Sequence, residues 1–371
     1  MDNHKDNVND IPLKVELNCT VEPKVDQFID QISYDNIVGS GTYGDVYKVQ
    51  CRQTDRSYAL KVSTLLDYMD SSVWDNEIEY IRNARSKYVA NYYDHRIIGD
   101  QLFLLMEYCS GNLHQLLDIK PWICRRRESD PMGKYEFYLS AILFKQILEA
   151  VQHIHVLEPQ IIHRNIRPEN LMIAFNGNSI GVKLIGFGIA THHYRNHHNL
   201  KHSTGVCGCI LYCAPEVASG SDYDHRVDIY SLSIVGAKLF GIDLDVLKAK
   251  DATQLTPGVY CREPMKQVFQ WLCHMNSTDP NDRPDCTEVL ADYDNWNIPE
   301  FDIMTTWMAN NYNNMFEQLV PPFVEDHCCT NCENLLVRAG LDQYASLGQV
   351  IDMLATEKWS KLLNPLFTDN K

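Results

Sequence analysis

The stretch VGSGTYGDVYKV, residues 38–49, places Gly39, Gly41 and Gly44 in the pattern GxGxxGxV between residues typical of strands. Glycine allows a backbone to bend sharply and to approach a ligand closely. The pattern therefore predicts a strand–turn–strand unit whose turn is either a loop that covers phosphate groups or an ordinary hairpin turn. Residues farther along the chain have to distinguish these alternatives.

Two charged residues favour the phosphate loop. Lys61 ends the stretch YALK in a β-rich run, where its side chain is placed to reach phosphates beneath the loop. Glu77 follows on a predicted helix and is placed to pair with that ammonium. The stretch MEYC, residues 106–109, closes a predicted strand and offers backbone groups to a purine. The alternative is that Lys61 and Glu77 form an ion pair with a purely structural role.

Hydrophobic periodicity predicts two regions of different secondary structure. In the first region, β-type runs are predicted at residues 37–49, 57–62, 89–95 and 102–108, with a helix near 74–84. In the second region, helices are predicted at residues 113–117, 137–157, 228–241, 264–275 and 286–290. The stretch PWICRRRESDPMG, residues 121–133, contains three consecutive arginines and is expected to be a solvated loop.

Five further stretches occur in an order that resembles the protein kinase superfamily. They are HRNIRPEN at 163–170, GFG at 186–188, APE at 214–216, DIYSL at 228–232 and DPNDRP at 279–284. In that family these positions hold the catalytic loop, the metal-binding DFG motif, the end of the activation segment, the helix that anchors the large lobe, and an arginine that pairs with the APE glutamate. The letters PEN after Arg167 are closer to Ser/Thr-type kinases than to tyrosine kinases.

The resemblance implies an α+β, bilobal, protein-kinase-like fold. Its small N-lobe, about residues 34–108, would be an antiparallel β-sheet with one helix, αC, and its larger C-lobe, about residues 109–297, would be mainly helical. Residues 1–33 are polar and are expected to form a flexible extension. Residues 298–371 carry apolar residues at helical spacing and are expected to form a helical tail packed on or near the domain.

The resemblance also implies which residues bind the nucleotide. Lys61 would contact the phosphates while Glu77 holds its ammonium, Asn170 would be a metal ligand, and apolar residues would enclose the adenine. The complete expected set is Val38, Gly39, Gly41, Gly44, Val46, Ala59, Lys61, Glu77, Met106, Glu107, Cys109, Asn170 and Met172.

Three catalytic positions depart from the family pattern. Asn165 stands where the family has the catalytic-base Asp, and its neutral amide can orient a hydroxyl group but cannot accept its proton. Gly186 replaces the Asp of DFG and offers no side-chain ligand to Mg²⁺. Arg167 replaces the catalytic-loop Lys, which keeps the charge but changes its reach. Loss of a general base alone typically lowers a rate by about 10²–10⁴-fold.

These departures leave two main functional hypotheses open, beside a third in which the chain is a nucleotide sensor whose ATP occupancy shifts its conformation. The first is a catalytically impaired pseudokinase that acts as a scaffold or allosteric regulator and binds ATP with a weak or absent dependence on Mg²⁺. The second is an active but unconventional ATP-dependent Ser/Thr-type protein kinase, in which another carboxylate replaces the missing base. Glu169, Asp222 and Asp224 are the nearby candidates for that role.

Composition and charge narrow the expected partners. The chain has 33 Lys and Arg against 49 Asp and Glu, a formal net charge of −16, which argues against nucleic acid and anionic membranes. It shows no signal-peptide core and no apolar run of the roughly 20 residues that a bilayer crossing requires. The expected location is the cytoplasm or the nucleus. The expected partner is a protein, with an active kinase as the first candidate, and the oligomeric state stays open.

Two segments contain cysteine or histidine residues of the kinds that bind metal ions. Cys329 and Cys332 form one CxxC motif, which is half of a typical zinc site. Five histidines lie between residues 192 and 202, but no adjacent acidic or cysteine residues complete a ligand pattern. No metal site is expected from either segment.

Overall fold

The computed structural model describes residues 22–41, 44–64, 72–124, 126–127, 130–176, 179–193, 209–258 and 261–299. Within these residues a β-sheet lobe precedes a mainly helical lobe, which confirms the predicted α+β, bilobal architecture. The expectations for residues 1–21 and 300–371, which include the CxxC motif, lie outside the described residues.

The small lobe is a five-stranded antiparallel sheet with one helix. Its strands are β1 Ile37–Gly41, β2 Gly44–Gln50, β3 Ser57–Thr64, β4 Tyr92–Ile98 and β5 Gln101–Glu107, and its helix is α1 Ser72–Asn83. The strand order is β1-β2-β3-β5-β4. Because side chains alternate along a strand, Leu60 on β3 faces an outer apolar cluster while its neighbour Lys61 faces the opposite side. The register places Val46 opposite Lys61.

The large lobe is built from helices with short strands at its junction to the sheet. The helices are α2 Leu113–Ile123, α3 Lys134–His155, α4 Pro215–Ala218, α5 Arg226–Leu239, α6 Leu244–Ala249, α7 Arg262–Met275, α8 Cys286–Ala291 and α9 Tyr293–Trp296. The strands are β6 Gly111–Asn112, β7 Gln160–Ile162, β8 Leu171–Asn176, β9 Ser179–Leu184 and β10 Thr191–His193. The core includes the ring of Phe240, whose centroid lies 5.2 Å from that of Phe137 and 5.9 Å from that of Phe144.

An N-terminal segment covers the outer face of the sheet. Polarity predicts a flexible extension through residue 33, but the described part of it, residues 22–33, packs against the small lobe. Val25 and Phe28 are fully buried, and the Phe28 ring lies 5.4 Å from the ring of Tyr58. The Gln31 side chain donates to the carbonyl of Gln50 and accepts from its amide. Ile29 and Ile32 pack against the same apolar cluster, so burial of apolar surface holds the segment on the sheet despite its polar composition.

The stretch at residues 121–133 is not wholly a solvated loop. Helix α2 continues to Ile123, and Nε of Arg126 donates to Oε2 of Glu136 at 2.7 Å. Glu136 is buried on α3, and its other carboxylate oxygen lies 3.4 Å from the Lys120 ammonium. The expectation is corrected at Arg126, which turns inward because a buried carboxylate needs nearby cations.

Across the residues that the structure describes, no helix is both long enough and apolar enough to cross a bilayer.

Candidate functional site

The small-lobe wall of the cleft between the lobes carries a closed ion pair. Nζ of Lys61 on β3 lies 2.6 Å from Oε1 of Glu77 on α1, and the two side chains are only 13% and 8% exposed. Gly188 lies against this pair, since a Cβ atom there would lie 3.4 Å from the second carboxylate oxygen of Glu77. The two residues that the sequence predicts as partners are therefore brought together.

The glycine-rich stretch forms the β1–β2 hairpin. Gly44 has φ +119°, and a Cβ atom at this position would lie 2.0 Å from the carbonyl oxygen of Val62. Only glycine fits there. The Ser40 hydroxyl donates to the Asp45 carboxylate at 2.6 Å across the hairpin. Residues 42–43 at the tip lie outside the described residues.

The other expected nucleotide-binding residues are distributed over several strands. Val38, Gly39 and Gly41 lie on β1, Val46 on β2, Ala59 on β3, Met106 and Glu107 on β5, and Met172 on β8. The register places Ala59 directly opposite Met106. The strands that carry these residues thus belong to the two lobes that meet at the cleft.

The segment joining the lobes is fixed by the carboxylate of Glu107. One oxygen of this carboxylate accepts from the backbone and side-chain amides of Asn91, at 3.0 and 2.8 Å, and from Lys183 at 2.8 Å. The side chain is therefore engaged within the chain, which leaves the backbone groups of this segment for the purine contact that the sequence predicts. Burial and the nearby Glu107 raise the pKa of Cys109 to about 12, so its thiol stays protonated and acts as an apolar wall.

Asp228 at the start of α5 holds the backbone of the catalytic-loop stretch. Its carboxylate accepts from the backbone amides of His163 and Arg164, both at 2.8 Å, and lies 2.8 Å from Nε2 of His155. Burial alone would raise the pKa of Asp228, but these donors outweigh it and keep the pKa below its ordinary value.

His163 supports the same loop as a neutral ring. Burial lowers its pKa to about 4. Nε2 lies 3.0 Å from the Ile185 carbonyl oxygen, and Nδ1 accepts from the Asn165 amide at 3.3 Å, which together assign the proton to Nε2. The ring also contacts Phe187 edge-on, with centroids 4.9 Å apart. His163 thus links the loop at Asn165 to the turn that follows Gly186.

The Gly186 position is closely approached by a neighbouring amide. Gly186 has φ +87°, and a Cβ atom there would lie 3.0 Å from both Cγ and Oδ1 of Asn170. The Asn170 side chain is itself held, because its Nδ2 donates to the Asn165 carbonyl at 2.8 Å. A side chain at position 186 would therefore need a left-handed backbone conformation and a small shift of Asn170.

These residues do not fit a tightly held Mg²⁺. The ion prefers carboxylate oxygens, whereas Gly186 has no side chain and Asn170 supplies a single amide oxygen. In the described part of the chain, no three His, Cys, Asp or Glu side chains are grouped so that they could hold a metal ion. The cleft offers a cation, Lys61, for the phosphates of a nucleotide.

Arg167 pairs with Glu169, a contact that sequence reasoning did not anticipate. Nε of Arg167 donates to Oε2 of Glu169 at 2.6 Å. Burial raises the pKa of Glu169, but the hydrogen bond and positive charge of Arg167, together with a backbone hydrogen bond, outweigh it, so the net pKa lies below its ordinary value. Asp224 is similarly bound to Arg226 at 2.9 Å, and Asp222 is exposed. Two of the three candidate replacement bases are thus charged groups already held by arginines.

The arginine expected to pair with the APE glutamate does so. Nη1 and Nη2 of Arg283 donate to the two carboxylate oxygens of Glu216 at 2.6 and 2.8 Å. Nε of Arg283 donates to the Ser277 carbonyl. This bidentate, buried pair confirms that part of the resemblance.

Curated relatives of the chain are protein kinases by name. It is 26% identical to Serine/threonine-protein kinase shk1/pak1 of Schizosaccharomyces pombe over 292 residues, 76% of this chain and 41% of that protein. It is 29% identical to Serine/threonine-protein kinase PAK 1 of Mus musculus over 240 residues, 63% of this chain and 40% of that protein. For pakG of Dictyostelium discoideum the identity is 28% over 207 residues, 55% of this chain and 16% of that protein. The chain thus spans well under half the length of these relatives.

A family model described as the protein kinase domain matches residues 32–293. The match includes the sheet, the closed Lys61–Glu77 pair, the catalytic-loop stretch and the Glu216–Arg283 pair. The chain therefore belongs to the protein kinase family.

Proposed function

We propose that this protein is a pseudokinase: a kinase-fold protein that binds ATP with little dependence on Mg²⁺ and acts through binding rather than phosphoryl transfer. Its role is that of a scaffold or allosteric regulator in the cytoplasm or nucleus. The proposed partner is another protein, and an active protein kinase is the first candidate.

The observation that carries the proposal is the contrast around Gly186. The Lys61–Glu77 pair is closed at 2.6 Å, so the cation for nucleotide phosphates is in place. Across the cleft, Asn165 has no basic oxygen, and Gly186 supplies no side-chain ligand to a metal ion. Phosphoryl transfer depends on positioned phosphates, metal ions and a base, and loss of the base alone costs about 10²–10⁴ in rate.

An active, unconventional Ser/Thr-type kinase is the second candidate. The closed Lys61–Glu77 pair and the names of the relatives favour it. It requires a replacement base. Glu169 and Asp224 are bound to Arg167 and Arg226, so either would have to exchange its arginine for the substrate hydroxyl.

The first experiment is thermal unfolding of the purified chain titrated with ATP, in Mg²⁺ and in EDTA. A ligand that binds only the folded state raises the unfolding temperature by mass action. We expect equal stabilisation in the two buffers. Stabilisation that needs Mg²⁺, followed by phosphate incorporation in a transfer assay, would move the function to the active kinase. No stabilisation in either buffer would remove ATP from the proposal and leave a scaffold.

A matched pair of variants assigns any stabilisation to the cleft. Lys61→Met removes the ammonium beside Glu77 and should abolish the response to ATP. Lys266→Met removes an exposed lysine on α7 that contacts only a neighbouring glutamate among the pairs described, and should leave the response unchanged. If both variants respond like the original chain, ATP binds elsewhere.

A further inference from the structure

A second cavity lies in the large lobe, and none of the expected nucleotide-binding residues lines it. Its volume is about 440 Å³, and its wall is formed by the end of α3, the residues entering α5 and the start of α8. Ligand pockets in proteins commonly have volumes of about 300–1,000 Å³. The space is therefore large enough for a long side chain of another protein.

Two side chains that line this cavity are more than nine-tenths buried, yet each offers a polar atom to it. His155 is 6% exposed, and its Nε2 lies 2.8 Å from the Asp228 carboxylate. Gln160 is 5% exposed, and its Nε2 donates to the His155 carbonyl at 2.8 Å. Within the described residues, Nδ1 of His155 and Oε1 of Gln160 make no hydrogen bond. Since buried polar groups normally have partners, these two acceptors are suited to a donor from outside the chain.

A third polar ring lies beside them. The ring of His225 lines the cavity and lies edge-on to that of His155, with centroids 5.0 Å apart. Burial lowers the pKa of His225 to about 4, so the ring is neutral near pH 7 and keeps one nitrogen as an acceptor. The inner wall of the cavity thus presents several neutral acceptors, which suits a ligand that carries several N–H donors.

Two arginines also line the cavity, and both are already neutralised. Nη1 of Arg226 donates to Asp224 at 2.9 Å, and Arg283 donates to both carboxylate oxygens of Glu216. An anionic ligand would have to displace one of these carboxylates before it gained an ion pair. The arginines therefore do not make the cavity a site for anions.

Two carboxylates at the start of α8 leave the rim of the cavity negative. Asp285 and Glu288 form a capping box, in which each carboxylate accepts from the other residue's backbone amide, at 2.9 and 2.8 Å. Among the described residues, no Lys, Arg or His forms an ion pair with either of them. Both are exposed and accessible to a cation from solvent.

We propose that this cavity, defined by His155, Gln160, His225, Asp285 and Glu288, binds an arginine side chain of a partner protein. A guanidinium group carries five N–H donors in a planar fork and is more weakly hydrated than an ammonium, so it suits several acceptors in a partly enclosed space. The net charge of −16 attracts basic segments to the chain. This inference rests on the proposed function, in which the chain acts by binding a protein, and it adds the site and the anchoring side chain.

The first test selects phage-displayed random peptides on the purified full chain, without nucleotide. We expect the enriched peptides to share an arginine. A synthetic peptide with citrulline, the neutral isostere, in place of that arginine should bind at least about tenfold more weakly, because it loses the charge and keeps the shape. Peptides that share no arginine, or a citrulline peptide that binds equally well, would overturn the proposal. Free arginine amide that binds as tightly as the peptide would assign the cavity to a small molecule instead.

The second test locates the bound arginine with a pair of matched variants. Asp285→Asn/Glu288→Gln removes both rim charges and keeps the capping box, because Asn also caps helices and Gln also completes the box. The affinity for the arginine peptide should fall by about tenfold. The control Asp243→Asn/Asp245→Asn makes the same change of charge at the start of α6 and should leave the affinity unchanged. Equal affinities in the two variants would contradict the site.

The third test addresses the inner wall of the cavity. His225→Phe keeps an aromatic ring beside His155 and removes the acceptor, so it should weaken the arginine peptide severalfold and leave the citrulline peptide unchanged. Equal effects on both peptides would show that His225 does not contact the arginine.

The outcomes separate this inference from the proposed function. An arginine peptide that shows the expected losses, on a chain that also transfers phosphate, would keep the site and refute the pseudokinase. Absence of any arginine-dependent peptide, on a chain that transfers no phosphate, would remove the site and leave the pseudokinase in place.

Discussion

On the small-lobe side of the cleft, Lys61 and Glu77 form a nearly buried ion pair, whereas on the large-lobe side Asn165 and Gly186 carry neither charge nor metal ligand. Both sides are nevertheless well ordered by contacts. Glu77 is packed against the turn at Gly188, and the loop around Asn165 is held by Asp228 and His163.

The difference separates the shape of a kinase cleft from its chemistry. Asp228 holds the loop through backbone amides, so the loop keeps its form whichever side chain occupies position 165. Metal binding, by contrast, depends on oxygens at particular positions, and glycine at position 186 removes one of them. A protein can thus lose the catalytic groups and keep the surface that partners recognise.

Breaking the Lys61–Glu77 pair in the small lobe should cause the largest loss of stability. Lys61→Met leaves the Glu77 carboxylate, 8% exposed, without its cation, and removal of one partner of a buried pair costs about 3 kcal/mol. We expect the free energy of unfolding in urea to fall by about that amount. The double variant Lys61→Met/Glu77→Leu should recover most of the stability but no response to ATP. An unchanged stability in Lys61→Met would show that the pair is not structural.

Acid should cause the second-largest loss of stability, through a buried histidine of the large lobe. His163 has a pKa of about 4 in the folded chain and about 6.5 when unfolded, so the unfolded state binds more protons between these values. Stability is therefore full above pH 6.5 and is lost as the pH falls toward 4. Between pH 7 and pH 5 the loss should be about 2 kcal/mol from this residue, measured by urea unfolding.

The variant His163→Phe serves as the control for the acid effect. It keeps an aromatic ring beside Phe187 but cannot titrate. The free energy of unfolding of this variant should depend less steeply on pH than that of the original chain. Some dependence should remain, because burial lowers the pKa of His225 to about 4 as well. Equal slopes in the two proteins would assign the acid loss to other groups.

Restoring a carboxylate at position 186 should restore a metal ligand on the large-lobe side of the cleft. Gly186→Asp adopts a positive φ at a cost of about 1 kcal/mol, and Asn170 must shift to admit the new Cβ. We expect a slightly less stable chain whose stabilisation by ATP now depends on Mg²⁺. Gly186→Asn bears the same strain without the charge, so it should lack the Mg²⁺ dependence. Identical behaviour of the two variants would contradict the role assigned to the missing carboxylate.

The change Asn165→Asp alone should have almost no effect on stability or on phosphate transfer. The side chain is half-buried in a loop held by its backbone, so the free energy of unfolding should change by no more than about 0.5 kcal/mol. Without a metal ligand at position 186 it should not produce phosphate transfer. Only the combination with Gly186→Asp should raise transfer above background. Transfer by the single variant would show that Gly186 does not limit the chemistry.

The sequence predicts well those features that repeat locally. Helical periodicity places a helix at residues 137–157, and the structure has α3 at Lys134–His155. The alternation around Lys61 and the helix carrying Glu77 likewise predict a contact that the structure shows. The order of the motifs then predicts the arrangement of the lobes, because each short motif has a known place in the family fold and limits the path of the chain between motifs.

Contacts between distant side chains are the part that local patterns do not reveal. Glu107 pairs with Lys183, 76 positions away, and no periodicity connects them. The close approach of Asn170 to Gly186 depends on a left-handed backbone conformation, which the identity of a single residue does not predict. Arg126 has the same residue type as its neighbours in sequence, and only the structure shows that it turns toward the buried Glu136.

The N-terminal segment also determines where a recombinant protein has to begin. The family match starts at residue 32, but Val25 and Phe28 close the apolar cluster on the sheet that includes Tyr58, Leu60 and Phe103. A protein cut at residue 32 would expose that surface to solvent and to other copies of itself. Expression of the domain therefore calls for a start no later than Glu22, well ahead of the boundary that family resemblance suggests.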